Sequence, residues 1–399
     1  MPAAETNRTS DVARVSLLLF AAGWGANHFV PLLLVYRSRL GLSPVDLGTL
    51  FAVYALGLTP GLLVGGPLSD RRGRRAVVLP GALLALGGTA LLAAGATRFA
   101  LLAAGRLVVG LGSGAVFSAG TAWAQDLSAG EPPGTGARRA TVALSAGFGG
   151  GPLIAAICAQ WLGRPLLAPY VLQAAALAGA IALARTIGAG RERAAGPAGH
   201  AGNGAGAIPA RFFPELGIVA PWVFAFPAIA FVVLPADVRA KLGGFAVLYA
   251  GANTAACLAA GIFVQPLARR RAARRVAVAG LVVGAVGIFV GEIAASAGAP
   301  AAVLAAGILL GAGYGCCLIA GLRWIESTTP PAARGRVTGI FYLLSYLGFW
   351  TPTLLAAVAR RIGERAPLSL MALLALATAA ASALRRWRSD GGGGAPGAG

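Results

Sequence analysis

The sequence predicts an all-α integral membrane protein, with twelve transmembrane helices in two pseudo-symmetric six-helix bundles around a central cavity. Three observations carry this. The 399 residues are 57% apolar and 12% charged, whereas a soluble chain needs roughly a quarter charged residues to cover its surface. The apolar residues gather in runs of about 20, the length at which a helix crosses the hydrocarbon core. The chain also repeats at half its length: Pro67, Leu68, Arg71, Arg72, Arg75, Val77 and Gly81 recur, 199 positions on, as Pro266, Leu267, Arg270, Arg271, Arg274, Val276 and Gly280.

The predicted spans lie near 15–36, 46–68, 76–96, 99–125, 140–162, 166–186, 216–236, 243–265, 276–296, 300–322, 337–358 and 367–384. Helix is required over strand, because backbone groups in lipid must be satisfied within the segment and no alternating period is present. The first run is too long for a signal peptide and lacks a small-residue cleavage site, so it reads as a retained span. It holds Trp24, Asn27 and His28 ahead of Pro31, which predicts a kink. The second run ends in the basic turn Gly66-Pro-Leu-Ser-Asp70-Arg71-Arg72-Gly73-Arg74-Arg75, and the third begins directly after it. In the fourth, Arg106 precedes Gly110, Gly112 and Gly114; in the fifth, Gly147, Gly151 and Pro152 fall in mid-run. Such small residues permit close helix approach.

After the sixth run, residues 188–214 are polar and Gly-rich without periodicity, which predicts a cytoplasmic linker between halves 1–187 and 215–388. The second half repeats the first. Gly110, Gly112, Gly114, Gly120 and Trp123 recur 201 positions on as Gly311, Gly313, Gly315, Gly321 and Trp324, and Pro152 is matched by Pro352. Residues 389–399 are low-complexity and read as a disordered tail.

The net charge of +20 is spread over short clusters between spans. With both termini inside, 23 Arg/Lys fall on the cytoplasmic side and nine on the other, the sense expected for cationic loops retained in the cytoplasm. The arginines near 360–365 are the weakest point of this assignment. No basic domain with stacking aromatics exists, which excludes nucleic-acid binding. Cys158, Cys257, Cys316 and Cys317 all lie inside apolar runs without metal-ligand spacing, so they read as small packing hydrophobes. No metal site, cofactor motif, phosphate loop or catalytic constellation is found, so an enzyme is not expected.

The basic turn meets, at Gly66, Asp70, Arg71, Gly73, Arg74 and Arg75, the pattern Gly-x-x-x-Asp-Arg-x-Gly-Arg-Arg between spans two and three. In this, in its span count and in its half-chain repeat, the chain resembles the major facilitator superfamily. Arg106, Gly110 and Gly112 resemble a second family motif in span four. Gly147, Gly151 and Pro152 resemble the core of the family's antiporter motif, although Arg138 and Ala155 stand where it has further glycines. The resemblance implies a monomeric secondary transporter in the cytoplasmic membrane, working by alternating access.

Within that frame Asp70 and Arg74 are expected to form a latch at the cytoplasmic rim, and the resemblance adds Asp126 as a second carboxylate; the bland alternative is that the arginines only fix topology. The second copy has Arg269 in place of the aspartate and is expected to lack an equal latch. Arg106, deep in span four, is either a proton-coupling or anion-binding residue or a clamp on backbone carbonyls. His28 is a candidate proton carrier or a buried ring bonded to a carbonyl. Glu292, late in span nine, is a third coupling candidate. Tyr54 and Asn253, equivalent under the repeat, join Trp24, Asn27, Trp222, Phe226, Tyr249, Tyr314, Tyr342 and Tyr346 as cavity candidates, each with interhelical packing as its alternative. Arg323 and Glu326, near the cytoplasmic end of span ten, are expected to form a rim pair with the Arg334/Arg336 loop. The expected partners are the bilayer, a small organic solute and protons. Proton-coupled efflux is favoured, with symport or facilitated uptake of a solute attracted to Arg106 as the alternative. A transport-dead sensor is the rival class.

Overall fold

The computed structural model describes residues 2–95, 98–132, 134–188, 208–363 and 366–384. The tail and most of the expected linker lie outside the described residues. Among the described residues, twelve helices are long and apolar enough to cross a membrane. In chain order they are α1 (Ser10–Leu40), α2 (Pro44–Arg72), α3 (Arg74–Ala94), α4 (Phe99–Leu127), α5 (Thr135–Trp161), α6 (Ala168–Arg185), α7 (Phe212–Lys241), α8 (Gly243–Ala268), α9 (Ala273–Ser296), α10 (Pro300–Thr328), α11 (Ala333–Ile362) and α12 (Ala366–Leu384).

Most of these helices outrun the apolar stretches that announce them, because polar caps continue the helix past the hydrocarbon. At the start of α2 the Ser43 backbone N–H donates to Asp46 at 2.9 Å, and the Asp46 N–H donates to the Ser43 hydroxyl at 3.2 Å. This reciprocal box satisfies donors that a helix start otherwise leaves open. At its other end Gly73 carries φ +92°, which only glycine adopts without strain, and its N–H bonds the Ser69 carbonyl.

Three helices are irregular. α1 is interrupted at His28, three residues before Pro31, whose ring offers no N–H to the Asn27 carbonyl. α7 contains two π segments, Phe212–Gly217 and Ile229–Val233, in a span that also holds Pro214, Pro221, Pro227 and Pro235. Wide turns of this kind absorb backbone groups that proline leaves unpaired. α11 tightens to a 3₁₀ turn at Leu347–Trp350, just before Pro352.

The half-chain repeat is repeated in the packing. Gly110 and Gly114 of α4 lie against the Tyr54 and Leu58 carbonyls of α2, while their counterparts Gly311 and Gly315 of α10 lie against the Cys257 and Gly261 carbonyls of α8. No side chain larger than hydrogen fits at these four positions, so both halves join the second and fourth helix of the repeat backbone to backbone.

The chain forms two compact units. The first holds α1–α6 together with Pro235–Ala255 and Pro352–Ala356; the second holds the remainder of α7–α12. In the first unit a buried core of Val15, Leu18, Leu19, Val78, Val116, Trp123 and Leu177 joins α1, α3, α4 and α6.

Candidate functional site

The α2–α3 turn and the end of α4 share one membrane face, as the order of the spans requires. Arg74 begins α3 there and faces three oxygens. Its Nε donates to Asp126 at 2.9 Å, and its Nη1 to the Ser69 hydroxyl at 2.8 Å and to Asp70. Ser69 in turn donates to the Gly66 carbonyl at 2.8 Å. Asp70 is 47% exposed, whereas Asp126 is 15% and Arg74 13%. Water and salt therefore weaken the Asp70 arm, and the shielded Asp126 arm holds the cluster more strongly. Arg75 donates to the Ile187 and Arg185 carbonyls at 2.6 and 2.8 Å, tying α3 to the end of α6. Arg71 and Arg72 are exposed.

The second copy of the turn is built otherwise. Arg274, the counterpart of Arg75, donates to the Ala383 carbonyl at the end of α12 at 2.7 Å, so this tie survives. The counterpart of Gly73 is Ala272, at φ −58°, where glycine has no advantage. No carboxylate cluster forms among the described residues. Arg323 instead donates to the Ala268 and Arg271 carbonyls, so it does not pair with Glu326 there, and Arg334 donates to the Glu326 and Thr329 carbonyls.

Arg106 lies fully buried among α1, α2 and α4. Its guanidinium donates to the Ala26, Leu50 and Phe51 carbonyls at 3.1, 3.2 and 3.4 Å, and its Cζ sits 4.7 and 4.5 Å from the Phe29 and Tyr54 ring centroids. Its contacts are therefore those of the carbonyl clamp, with two ring faces added. The His28 Nδ1 is 3.3 Å from the Trp24 carbonyl, and its Nε2 has no hydrogen-bond partner among the described residues. The ring stands edge-on to Tyr170, whose hydroxyl meets that of Tyr36 at 2.8 Å. Asn27 reaches the Phe148 carbonyl at 3.5 Å. Trp24 is buried, and its backbone lies against Gly147 and Gly151 of α5. Pro152 turns its carbonyl toward Gly251 of α8.

Some of the cavity candidates come together. Phe224 stacks on Tyr346 at 5.3 Å between centroids and neighbours Phe349 at 4.9 Å and Tyr314 at 6.2 Å; Tyr342 stacks on Tyr346 at 6.1 Å. Gly348 lets α11 lie directly on the Phe224–Ala225 backbone, which creates this cluster. Phe226 is not part of it: it is fully buried against Gly284 of α9, with Trp222 beside it at 5.2 Å. Asn253 is fully buried on α8 and Tyr249 partly exposed. Glu292, partly buried, accepts from Ser369 of α12 at 2.8 Å, placing it in the α9–α12 seam.

Sequence reasoning missed Glu215. Its carboxylate is buried at the start of α7, accepts from the Trp324 indole N–H at 2.7 Å and lies 3.7 Å from Arg211. Among the described residues only Asp11 is a comparably buried acid, and it pairs with Arg14 at 3.0 Å. The available signal was an acid at the edge of an apolar run together with the repeated Trp123/Trp324, but nothing local joins residues 109 positions apart. Phe224 and Phe349 were missed likewise.

A family model described as Major Facilitator Superfamily matches residues 15–348. A search of curated proteins finds no match to this chain. Among solved structures, a POT family transporter in complex with 5-aminolevulinic acid superposes with a TM-score of 0.75 at 13% identity, over 92% of this chain and 94% of that one. The nucleoside transporter NupG gives 0.75 at 13%, over 94% and 99%. A D-xylose-proton symporter gives 0.69 at 15%, over 96% and 98%. At such identities the likeness is one of fold.

Proposed function

Because the chain belongs to the major facilitator superfamily, a family of secondary transporters of small solutes and not of enzymes, we propose that it exports a small organic solute against an inward flow of protons by alternating access. The observation that carries the mechanism is the Arg74 cluster. One guanidinium on α3 bridges Asp70 on α2 and Asp126 on α4 at one membrane face. A contact made in one state and broken in the other needs only a few kcal/mol of differential energy to set the balance between them. We place this face in the cytoplasm, following the 23-to-nine excess of basic residues.

Export is favoured by the seam of Gly147 and Gly151 on Trp24, which is the part of the antiporter-like motif that this chain retains. Proton symport is the second reading, favoured by the D-xylose-proton symporter among the structural neighbours. Arg106 does not favour an anionic solute, since its donors are directed at three carbonyls and it is fully buried. We assign the coupling proton to Glu215, an acid buried in an irregular stretch of α7. Its carboxylate accepts from the Trp324 indole N–H and lies 3.7 Å from the Arg211 guanidinium.

Flux in proteoliposomes tests the direction of coupling, with a solute found by ligand-induced thermal shift. Under antiport, an acidic lumen drives solute accumulation. Accumulation driven only by an acidic exterior establishes symport, and accumulation indifferent to either gradient removes proton coupling.

A further inference from the structure

We propose that the turn between α8 and α9 binds an anionic phospholipid, its phosphate held by unpartnered guanidiniums and its acyl chains by the exposed apolar face at the end of α8. The chain's own repeat supplies the comparison. In the first copy, Arg74 is engaged with Ser69, Asp70 and Asp126, and Arg75 with the end of α6. In the second copy, Arg269 replaces the aspartate, giving five arginines within seven positions and no acid among them. Arg274 is engaged at the end of α12. Arg269, Arg270, Arg271 and Arg275 are exposed, and their guanidiniums make no hydrogen bond or ion pair among the described residues.

Retention on the cytoplasmic side requires positive charge in such a turn, but it does not require the loss of the one acid. The surroundings suit a lipid. Phe263 and Leu267, 77% and 71% exposed, lie four residues apart and so on one face of the last turns of α8. They stand at acyl-chain depth when the arginines stand at headgroup depth. Beside the turn lies a cleft of about 220 Å³, lined by Ala272, Ala273, Arg323, Glu326 and Ser327. Arg323 anchors the turn there through the Ala268 and Arg271 carbonyls. A polybasic stretch directly at the end of a membrane span, next to exposed apolar side chains, matches an anionic headgroup with its chains attached. A free phosphate or an acidic soluble partner would leave Phe263 and Leu267 without a role.

The test uses the full chain in phosphatidylcholine nanodiscs carrying a minor fraction of phosphatidylglycerol, with bound lipid counted by native mass spectrometry. Each removed charge is expected to weaken phosphatidylglycerol binding about fivefold, so that Arg269→Gln/Arg270→Gln/Arg271→Gln loses about a hundredfold. Arg269→Asp, which restores the acid of the first copy, is expected to lose more than any single Gln variant. Phe263→Ser/Leu267→Ser is expected to weaken lipid binding with the arginines intact. Unchanged phosphatidylglycerol retention in the triple variant, with wild-type thermal stability, overturns the proposal. So does full competition by inorganic phosphate at concentrations that leave the bilayer intact, which would make this a free-anion site.

Discussion

At the scale of single residues, exposure decides which contacts matter. The motif draws attention to Asp70, yet Asp70 is the open arm of the rim cluster and Asp126 the shielded one. An exposed pair contributes about 1 kcal/mol or less, while a shielded, charge-assisted hydrogen bond contributes about 1.5–3 kcal/mol. Asp126→Asn is therefore expected to shift the conformational balance more than Asp70→Asn, and with less sensitivity to salt. Labelling of single cysteines on either membrane face measures that balance. A larger effect from Asp70→Asn would show that exposure is the wrong guide here. Arg106 makes the same point: its depth in α4 was legible from its place in an apolar run, but its acceptors were not. Both readings of the sequence were open until Ala26, Leu50 and Phe51 presented their carbonyls.

At the scale of elements, backbone conformation explains why one copy of the turn keeps a glycine and the other does not. Gly73 sits at φ +92° and ψ +150°, a region closed to residues with a Cβ, whereas Ala272 sits at φ −58°. Gly73→Ala is expected to cost about 1–3 kcal/mol and to displace Arg74 from Asp126. Ala272→Gly is expected to cost under about 1 kcal/mol. Thermal unfolding of the two variants in detergent checks the pair, and equal costs would refute the conformational account. The kink of α1 was legible from Pro31. The π segments of α7 were not, because four prolines announce irregularity without saying how the backbone will absorb it.

At the scale of the whole molecule, the two halves share packing and differ in charge. Arg75 and Arg274 tie the third and ninth helices to the ends of the sixth and twelfth in the same way. The acids have diverged: the first half keeps the Arg74 cluster at its rim, and the second buries Glu215 on Trp324. The first half's Trp123 indole has no such partner among the described residues. If Glu215 carries the coupling proton, Glu215→Gln keeps an acceptor for Trp324 and hence the fold, but cannot titrate. Solute counterflow is then expected to persist while accumulation driven by a pH gradient is lost. Undiminished accumulation would move the proton elsewhere.

The sequence by itself determined the membrane class, the twelve spans, the internal repeat and the turn where charge gathers. Hydropathy accumulates locally along the chain, and lipid leaves helix as the only open-ended solution for each run. Tertiary structure alone decided which charges meet. Arg74 and Asp126 are 52 positions apart, Arg106 and Ala26 are 80 apart, and Glu215 and Trp324 are 109 apart. Arg74 reaches Asp126, for example, where Gly81 and Gly112 let the α3 and α4 backbones approach closely. A contact of that kind depends on the rotation and depth of two helices at once, which no local pattern encodes.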